Sequence, residues 1–474
     1  MSEITVRSLS GGESKIDAQA IDDLRAKLRG EVLLPGEGGY DEARSIWNAM
    51  IDRKPGIIVR CMGNRDVMDA VNFARENNIL IAVKGAGHNI AGNAVCDGGL
   101  MIDLSAMNFV SVNPKTRRAY VGPGATLGDF DHETQAFGLA TPVGINSTTG
   151  IAGLTLGGGF GWLTRKHGMT VDNLLSADVV TAEGKFLHAS EEENPDLFWA
   201  IRGGGGNFGI VTMFEFELHP VGPEVLTGLI VFPFNEAKSV ISKYLEYVEG
   251  LPEDLAIWVV LRQAPPLPFL PEEVHGKEVV VLAFMYAGKP EAGEKLIEPI
   301  RGFGNPHGEF VGVGPYEGWQ KAFDPLLTPG ARNYWKSHDF SDIGEGAVDT
   351  LIDYAGKLPS SQCEIFIAHL AGEANKIPHD ATAYANRDTK FVLNVHGRWD
   401  DNSGDDKCIS WAREFFDKSA EFATGSVYVN FMTEEETGRV TNAYGPNYDR
   451  MVQMKKKFDP KNLFRMNQNI KPSA

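Results

Sequence analysis

The chain has 474 residues, 43% of them hydrophobic, so it can bury a large core and is long enough for two or more domains. Lys and Arg number 45 against 63 Asp and Glu, and the formal net charge of −18 repels phosphate backbones. This excludes nucleic acid as an expected partner and favours a small-molecule substrate. No apolar run approaches the ~20 residues of a membrane span and the N-terminus lacks a signal-peptide pattern, so we expect a cytoplasmic protein with no membrane partner.

The four cysteines lack the CxxC spacing of a redox or zinc motif; they are Cys61, Cys96, Cys363 and Cys408. The sequence therefore indicates neither a disulfide framework nor a metal site. We expect each cysteine to be buried as a small hydrophobic residue, as free cysteines usually are.

The first half of the chain predicts mixed α/β structure. Residues 56–85 are interpreted as strand, helix and strand, because the apolar runs GIIVR and ILIAVKG flank Val67, Val71 and Ala74 at helical spacing. This pattern is typical of a βαβ unit. Further along, AYVGPGAT predicts another strand that leads into a helix containing Leu127.

Two glycine-rich stretches interrupt this pattern. Residues 144–161 contain seven glycines and neither periodicity, which predicts a surface of bare backbone N–H and C=O groups. The second stretch, RGGGGNFG, has the GxGxxG spacing of a Rossmann dinucleotide site, but the alternating FEFEL behind it predicts a strand ending near residue 218 instead of a helix. A Rossmann site is therefore rejected, although glycine backbone around His88 and over 150–161 can still cradle an anion.

Beyond Pro220 glycine is sparser, and a second α+β region is predicted at about 223–424. It comprises a helix in NEAKSVISKYLEYVEG, strands in EVVVLAFMYAG and FVLNVHGRW, and a helix near 409–423. The proline-rich QAPPLPFLPEE is interpreted as part of a lid or as an exposed loop. In the tail, a helix is expected to stop at the Asp-Pro pair 459–460, with lysines 455–457 on its solvated face.

One histidine, His88, lies in the segment VKGAGHNIAGNAVCDGGLMIDLS, whose glycines favour something other than packing. Three further segments accompany it: GLTLGGGFGWLTRKHGMTVDNLLSADVVTAEG, DLFWAIRGGGGNFGIVT and YGPNYDRMVQMKKKFDPKNLFRMNQNI. In these segments the chain resembles the berberine bridge enzyme-like oxidases, within the vanillyl-alcohol oxidase and p-cresol methylhydroxylase superfamily of flavoproteins. The resemblance covers most of residues 50–220 and the last fifty residues.

The resemblance implies a two-domain α+β fold of the vanillyl-alcohol oxidase type. Residues 1–222 would form an FAD-binding domain to which residues 425–474 return, and residues 223–424 would form an inserted substrate-binding domain. The implied cofactor is FAD, joined through a ring nitrogen of His88 to the flavin 8α-methyl group. Many members add a second link through a cysteine, but Asn146 stands in that place here, so we predict a single bond, as in the 6-hydroxynicotine oxidase type.

By the same resemblance, FAD is expected to lie against the loop around His88, both glycine-rich stretches and the terminal asparagines. Thr149 stands where members vary a residue thought to gate oxygen, and its small size is compatible with an oxidase. The expected cofactor-binding residues are Lys84, Gly85, Ala86, Gly87, His88, Asn89, Ile90, Gly144, Thr148, Thr149, Gly150, Gly153, Gly157, Gly158, Gly159, Gly209, Ile210, Val211, Asn467 and Asn469.

The family also places a catalytic tyrosine in a YxN segment at the start of the last strand, which here supplies Tyr428 and Asn430. A phenol can accept a substrate proton if a positive charge or a hydrogen bond lowers its pKa from about 10. The alternative is a tyrosine that only packs on a strand face. Several plant relatives have their base tyrosine where this chain has Phe431, so the base is either Tyr428 or lies elsewhere.

Other candidate bases come from predicted strands of the second domain, in CEIFIAHLAG and NVHGRW. Glu364 is a candidate because a buried carboxylate is costly without a purpose or a partner. His396 is a candidate too, but a hydrogen-bonded core residue explains both His396 and His369 equally well. His167 is expected to support a loop near the cofactor.

The implied function is an FAD-dependent oxidase that takes a hydride from an alcohol, amine or activated C–H substrate onto flavin N5 and reduces dioxygen to hydrogen peroxide. One alternative is a flavin or deazaflavin dehydrogenase or reductase of the same fold that does not use dioxygen. Another is an inactive flavin-binding protein. The expected partners are a small-molecule substrate and dioxygen, and the sequence fits a monomer or a homodimer equally.

Overall fold

The computed structural model describes residues 3–473. In that range the strands are, in chain order, β1 Glu3–Arg7, β2 Glu13–Asp17, β3 Glu31–Leu33, β4 Ile57–Arg60, β5 Ile81–Lys84, β6 Leu100–Asp103, β7 Val110–Asn113, β8 Arg118–Val121, β9 Leu139–Ala140, β10 Leu174–Val180, β11 Phe186–Ser190, β12 Ile210–Glu217, β13 His219–Pro220, β14 Glu224–Pro233, β15 Leu255–Gln263, β16 Glu278–Tyr286, β17 Gly308–Pro315, β18 Arg332–Phe340, β19 Glu364–His369 and β20 Phe391–Trp399. The α-helices are α1 Ala18–Lys27, α2 Tyr40–Arg44, α3 Asn64–Glu76, α4 Leu127–Gln135, α5 Ile151–Leu156, α6 Thr164–His167, α7 Pro195–Ile201, α8 Ala237–Val248, α9 Pro290–Arg301, α10 Tyr316–Gln320, α11 Glu345–Ala355, α12 Glu373–Lys376, α13 Asp405–Ser419, α14 Val440–Tyr444 and α15 Tyr448–Phe458.

The first half of the chain builds two principal sheets. The predicted strand, helix and strand are β4, α3 and β5, and the two strands lie parallel on either side of β6 in a four-stranded sheet of order β3-β4-β6-β5. Val67, Val71 and Ala74 of α3 are buried in the same core as these strands, as their spacing predicts. The second sheet is antiparallel, with the order β11-β10-β12-β8-β7. Since β12 follows the second glycine-rich stretch, the predicted strand is confirmed there.

Residues 224–399 contribute a seven-stranded antiparallel sheet of order β17-β14-β16-β15-β19-β20-β18. Alternate residues of β15 point to opposite faces of this sheet. Ile257 and Val259 join a core shared with α8, α9, α11 and α13, whereas Trp258 packs against Phe160 and Trp162 of the first half. Helices therefore cover one face of the sheet, and the other face looks toward the glycine-rich stretches.

Two local predictions are wrong, and a predicted helix is present with its bounds shifted by four residues. Residues 144–161 contain α5, a six-residue helix whose period is hidden because glycines flank it on both sides. The helix expected near 409–423 begins at Asp405, where acidic residues suit a first turn, and ends at Ser419. Tyr428 does not open a strand, because a 3₁₀ turn, Val429–Phe431, follows it.

The tail contains a prediction that is confirmed and one that is wrong. Helix α15 ends at Phe458, immediately before the Asp-Pro pair, as predicted. Lys455 does not lie on a solvated face: its side chain is fully buried. The ammonium group donates to the main-chain carbonyls of Asn207 and Phe464, both at 2.8 Å, and to Asp459 at 2.7 Å. Position 455 therefore faces the second glycine-rich stretch and ties the tail to it.

The four cysteines are all buried and free, which confirms the sequence prediction. Across residues 3–473, the helices are all too short or too polar to cross a bilayer.

Candidate active site

A cavity of about 330 Å³ lies between the glycine-rich stretches and the open face of the seven-stranded sheet. Its floor comes from the loop around His88, from α5 and the residues before it, from the start of β12 and from residues 464–468. Its roof consists of sheet side chains: Trp258, Trp335, Glu364, Phe366 and His396. Apolar walls with a few converging polar groups are typical of a small-molecule site.

Most of the expected cofactor-binding residues line this cavity, although they come from four distant segments. These are Gly85, Ala86, Gly87, His88, Asn89, Gly144, Thr149, Gly150, Gly153, Gly209, Ile210, Val211 and Asn467. Outside its lining lie Lys84, Ile90, Thr148, Gly157, Gly158, Gly159 and Asn469. The four expected catalytic residues all line the cavity: Glu364, His396, Tyr428 and Asn430. Sequence reasoning missed the aromatic lining, which no motif marks: Trp47, Phe160, Trp258, Trp335 and Phe366.

Several expected residues outside the lining support those within it. The amine of Lys84 donates to a main-chain carbonyl at 2.5 Å, and burial lowers its pKa. Gly157 makes room for Asn430, because a Cβ at that position would lie 2.3 Å from the amide oxygen. The N–H of Gly159 donates to the hydroxyl of Tyr428 at 3.1 Å. Gly157 and Gly159 therefore position Asn430 and Tyr428 without lining the cavity, whereas Lys84 bonds to Ala43, outside the lining.

The chemistry of the lining fits a flavin dinucleotide. The loops carrying Gly85 and Gly150 press closely on their neighbours, since a Cβ would lie 2.9 Å from the carbonyl oxygen of Pro123 in the first case and 2.9 Å from Ala86 in the second. Bare backbone therefore reaches the cavity at these points. Asn467 also lines the cavity, and its Oδ1 is buried without a hydrogen-bond donor among the described residues. Such an acceptor suits a ring N–H group of a bound cofactor.

The imidazole of His88 is held on three sides. Its Nε2 lies 3.0 Å from Oγ1 of Thr148 and its Nδ1 lies 3.5 Å from Oγ1 of Thr149. The indole of Trp47 stacks on the ring, with centroids 5.1 Å apart and planes inclined by 21°. Burial lowers the pKa of His88 to about 4, so the ring is neutral at neutral pH.

The hydrogen bonds around Thr148 determine which nitrogen of His88 carries the proton. Oδ1 of Asn146 accepts the main-chain N–H of Thr148 at 3.0 Å, which fixes the orientation of the amide. The same Oδ1 lies 2.8 Å from the Thr148 hydroxyl, which must therefore donate to it. The hydroxyl oxygen then presents lone pairs to Nε2 of His88, so Nε2 carries the hydrogen and Nδ1 is unprotonated, with the Thr149 hydroxyl as a long, 3.5 Å donor to it.

Tyr428 is buried beneath the roof, and its hydroxyl oxygen accepts two hydrogen bonds. The donors are the N–H of Gly159 at 3.1 Å and Nδ2 of Asn430 at 3.0 Å. Burial raises the pKa of Tyr428 to about 12, outweighing both donors, and this is opposite to the shift that a general base needs. With both lone pairs engaged, the phenol retains its own proton for donation.

Glu364 and His396 lie side by side on β19 and β20. Oε2 of Glu364 accepts a hydrogen bond from Arg262 at 2.7 Å, and its Oε1 lies 3.3 Å from Nδ1 of His396. Burial alone would raise the pKa of Glu364, but Arg262, His396 and Arg398 outweigh it and lower that pKa to about 2. Burial also lowers the pKa of His396, in spite of its carboxylate neighbour. The pair therefore consists of a carboxylate and a neutral imidazole at neutral pH.

The hydrogen bonds of this pair lack one donor: two oxygen acceptors face the ring nitrogens of His396, but the neutral ring carries one hydrogen. Nε2 of His396 lies 3.2 Å from Oδ1 of Asn333, an acceptor whose orientation is fixed because its Nδ2 donates to a main-chain carbonyl at 2.9 Å. Both ring nitrogens of His396 thus face oxygen acceptors, while a neutral imidazole carries one hydrogen. A proton delivered to Glu364 or His396 would complete the second bond.

The remaining predicted histidines lie away from the cavity lining. His369 is buried and stacks on Phe391, with centroids 4.9 Å apart, in agreement with its interpretation as a core residue. His167 stacks on His219 with centroids 3.9 Å apart, and its carbonyl accepts a hydrogen bond from Asn173.

Two families of known domains match this chain. The FAD binding domain family matches residues 55–190, and the berberine and berberine-like family matches residues 427–471. The first match contains His88 and the first glycine-rich stretch, and the second contains Tyr428, Asn430 and the terminal asparagines.

Individual relatives match over nearly their whole length. An FAD-linked oxidoreductase of Dictyostelium discoideum is 30% identical over 459 residues, 96% of this chain and 97% of the relative. (R)-6-hydroxynicotine oxidase of Paenarthrobacter nicotinovorans is 30% identical over 463 residues, 94% of this chain and 98% of the relative. The crystal structure of 6-hydroxy-D-nicotine oxidase from Arthrobacter nicotinovorans superposes with a TM-score of 0.84 and 28% identity, covering 94% of this chain and 98% of that one. The predicted fold class is confirmed by this likeness.

Proposed function

Because the chain belongs to the berberine bridge enzyme-like family of FAD-linked oxidoreductases, we propose that it is an oxidase that carries its FAD on a single covalent bond to His88. When bound, the flavin supplies the redox chemistry: it accepts a hydride at N5 from an alcohol, an amine or an activated C–H group, and dioxygen then takes the electrons and becomes hydrogen peroxide. The side chains supply position, proton transfer and exclusion of water.

The observation that carries this proposal is the state of His88. A neutral imidazole whose Nδ1 is unprotonated, and whose ring is held between Trp47 and Thr148, suits attachment at that nitrogen. Asn146 offers no nucleophile for a second bond, so one link per chain is expected. The glycine backbone and Asn467 would hold the rest of the cofactor.

The protonation states of Glu364, His396 and Tyr428 indicate their catalytic roles. As a hydride leaves the substrate carbon, the O–H or N–H proton passes to the Glu364 and His396 pair, which gains a hydrogen bond by accepting it. Tyr428 donates a hydrogen bond to the same oxygen or nitrogen and keeps it in place. The proposed base is therefore the Glu364 and His396 pair in the roof of the cavity, and not Tyr428.

Anaerobic bleaching tests the function directly. The purified yellow protein is mixed without oxygen with secondary amines, aromatic alcohols, sugars and 6-hydroxynicotine, the compound for which a relative is named. We expect at least one compound to bleach the flavin absorbance, and air to restore it with formation of hydrogen peroxide. Bleaching that persists in air would indicate a dehydrogenase, and no bleaching by any compound would indicate an inactive flavin-binding protein.

A further inference from the structure

A second cavity of about 80 Å³, the side chamber, adjoins the active-site cavity on the same face of the seven-stranded sheet. The two cavities share five lining residues: Ile145, Trp258, Leu327, Glu364 and Phe366. Trp258 and Phe366 stand at this junction with their rings parallel, inclined by 8° and with centroids 6.0 Å apart. A ligand in the main cavity can therefore extend past these two rings without leaving the protein.

The walls of the side chamber are apolar. Its sheet side is formed by Leu229, Val231, Val260, Val279, Val281 and Ala283. Its opposite side is formed by Leu267 and Leu270 of the proline-rich loop together with Phe323 and Leu326. The proline-rich loop, for which the sequence is compatible with either a lid or an exposed loop, therefore forms one wall of this chamber.

The charged groups that reach the chamber pair with each other. Arg262 donates to Glu364 at 2.7 Å, so neither offers an unpaired charge to a ligand. A sugar hydroxyl that entered would lose its hydrogen bonds to water and find few partners, which is unfavourable. A methylene or aromatic C–H group would instead gain dispersion contacts and leave water.

We propose that the side chamber binds the apolar arm of the substrate, a short alkyl chain or a single ring, while the oxidised C–O or C–N bond lies in the main cavity near Tyr428 and Glu364. This rests on the proposed function and narrows it: the substrate is an alkyl- or aryl-substituted alcohol or amine, and an oligosaccharide is excluded as the ligand of this subsite. Each methylene that enters the chamber should tighten binding about three- to fourfold until the chamber is full.

The test measures binding and needs no turnover. Para-alkylphenols from methyl to butyl are titrated into the purified holoenzyme, and their dissociation constants are read from tryptophan fluorescence, to which Trp258 at the junction contributes. We expect the dissociation constant to fall about three- to fourfold per methylene. Phenols of equal length that end in a hydroxyl should show no such gain.

Three variants test whether the effect depends on the chamber. Val281→Phe fills it from the sheet side and should abolish the gain per methylene, while Val313→Phe, the same change at an exposed strand position, should preserve it. Leu267→Ala enlarges the chamber from the loop and should increase the chain length that binds most tightly. This variant decides the question if Val281→Phe does not fold.

Affinity independent of chain length in the natural protein, or an unchanged gain in folded Val281→Phe, would overturn the proposal. If the natural protein shows the gain per methylene but no oxidase activity, the proposed function is overturned and the binding result is unaffected.

Discussion

At the scale of single residues, the surroundings of His88 determine which ring nitrogen carries the hydrogen. Asn146 orients the hydroxyl of Thr148, and the oxygen of that hydroxyl accepts a hydrogen bond from Nε2–H of His88. The amide oxygen of Asn146 thus accepts two hydrogen bonds from Thr148. Position 146 therefore acts on His88 through the orientation of the Thr148 hydroxyl.

We predict that Thr148→Val slows covalent attachment of FAD about fivefold, the equivalent of one hydrogen bond, because Nε2 loses its acceptor. Attachment is followed as flavin retained by acid-precipitated protein after FAD is added to protein produced under riboflavin starvation. Thr148→Ser keeps the hydroxyl and should restore the rate. Thr116→Val, the same change at an exposed position, is the matched control and should behave as the natural protein does. Equal rates in all four proteins would refute the orienting role.

The pH dependence of flavin reduction reports on Glu364 and His396. The pKa of His396 is lowered from 6.5, so its neutral, proton-accepting form persists further into acid than that of an ordinary histidine. We predict that the anaerobic bleaching rate is level from neutral pH down to below 6.5 and falls only beyond that. Tyr428, with a pKa raised to about 12, adds no alkaline limb below pH 10.

Glu364→Gln supplies the control for that profile. It removes the carboxylate but keeps the shape of the side chain, and we expect bleaching to slow by about 10²- to 10⁴-fold with the flavin content unchanged. A variant that bleaches at the natural rate would show that the base lies elsewhere.

At the scale of elements, α15 positions the tail that forms part of the cavity floor. Lys455 joins α15 to Asn207 in the second glycine-rich stretch and to Phe464, just ahead of Asn467. Burial lowers the pKa of Lys455, while Asp459 opposes that shift. Removing one partner of such a buried ion pair is destabilising, because the charge of the other partner stays buried without compensation.

We predict that Lys455→Met lowers the free energy of unfolding by about 3–5 kcal/mol, since Asp459 and two carbonyl groups lose their donor. Lys457→Met on the same helix removes a half-exposed pair with Asp196 and should stay within about 1 kcal/mol of the natural protein. Urea unfolding followed by circular dichroism measures both. If the two variants unfold at the same urea concentration, Lys455 is not the anchor that its contacts indicate.

Helix α15 shows which features the sequence predicts and which it does not. The end of α15 follows from a proline that cannot continue a helix, and α3 follows from a regular apolar spacing. The burial of Lys455 depends on a segment about 250 residues away, and no local pattern carries that information. Trp47 was missed for the same reason, because only the folded chain brings it against His88.

At the scale of the whole molecule, the seven-stranded sheet is joined to the first half of the chain by buried polar contacts. Asn48 exchanges two hydrogen bonds with the main chain of Asn333, at 2.9 and 3.0 Å. In a second contact, Gln320 of α10, the helix that follows β17, donates to Asp131 of α4 at 3.1 Å. Burial raises the pKa of Asp131 to about 7, with the hydrogen bond from Gln320 opposing it.

Asp131 makes stability depend on pH. Its pKa is raised in the fold from an ordinary value of 3.8, so between about pH 4 and 7 the folded chain keeps a proton that the unfolded chain releases. The contribution of this group to stability therefore falls as pH rises through that window, and the loss is complete above it. We predict that Asp131→Asn, which is neutral at every pH, melts at a higher temperature than the natural protein at pH 8 and that the difference shrinks toward pH 5.

The exposed Asp417 provides the comparison for that experiment, because Asp417→Asn should shift the melting temperature little at either pH. A difference for Asp131→Asn that is equal at pH 5 and pH 8 would mean that Asp131 is charged in the fold throughout.

Mass spectrometry of the denatured protein tests the central claim, a single flavin bond at His88, most directly. We predict that the intact chain carries the mass of one FAD and that, after trypsin digestion, the flavin stays on the peptide of residues 85–115, which contains His88 and excludes Asn146. His88→Ala should remove that mass. A natural chain found at its bare polypeptide mass, or a flavin located on another peptide, would contradict the claim.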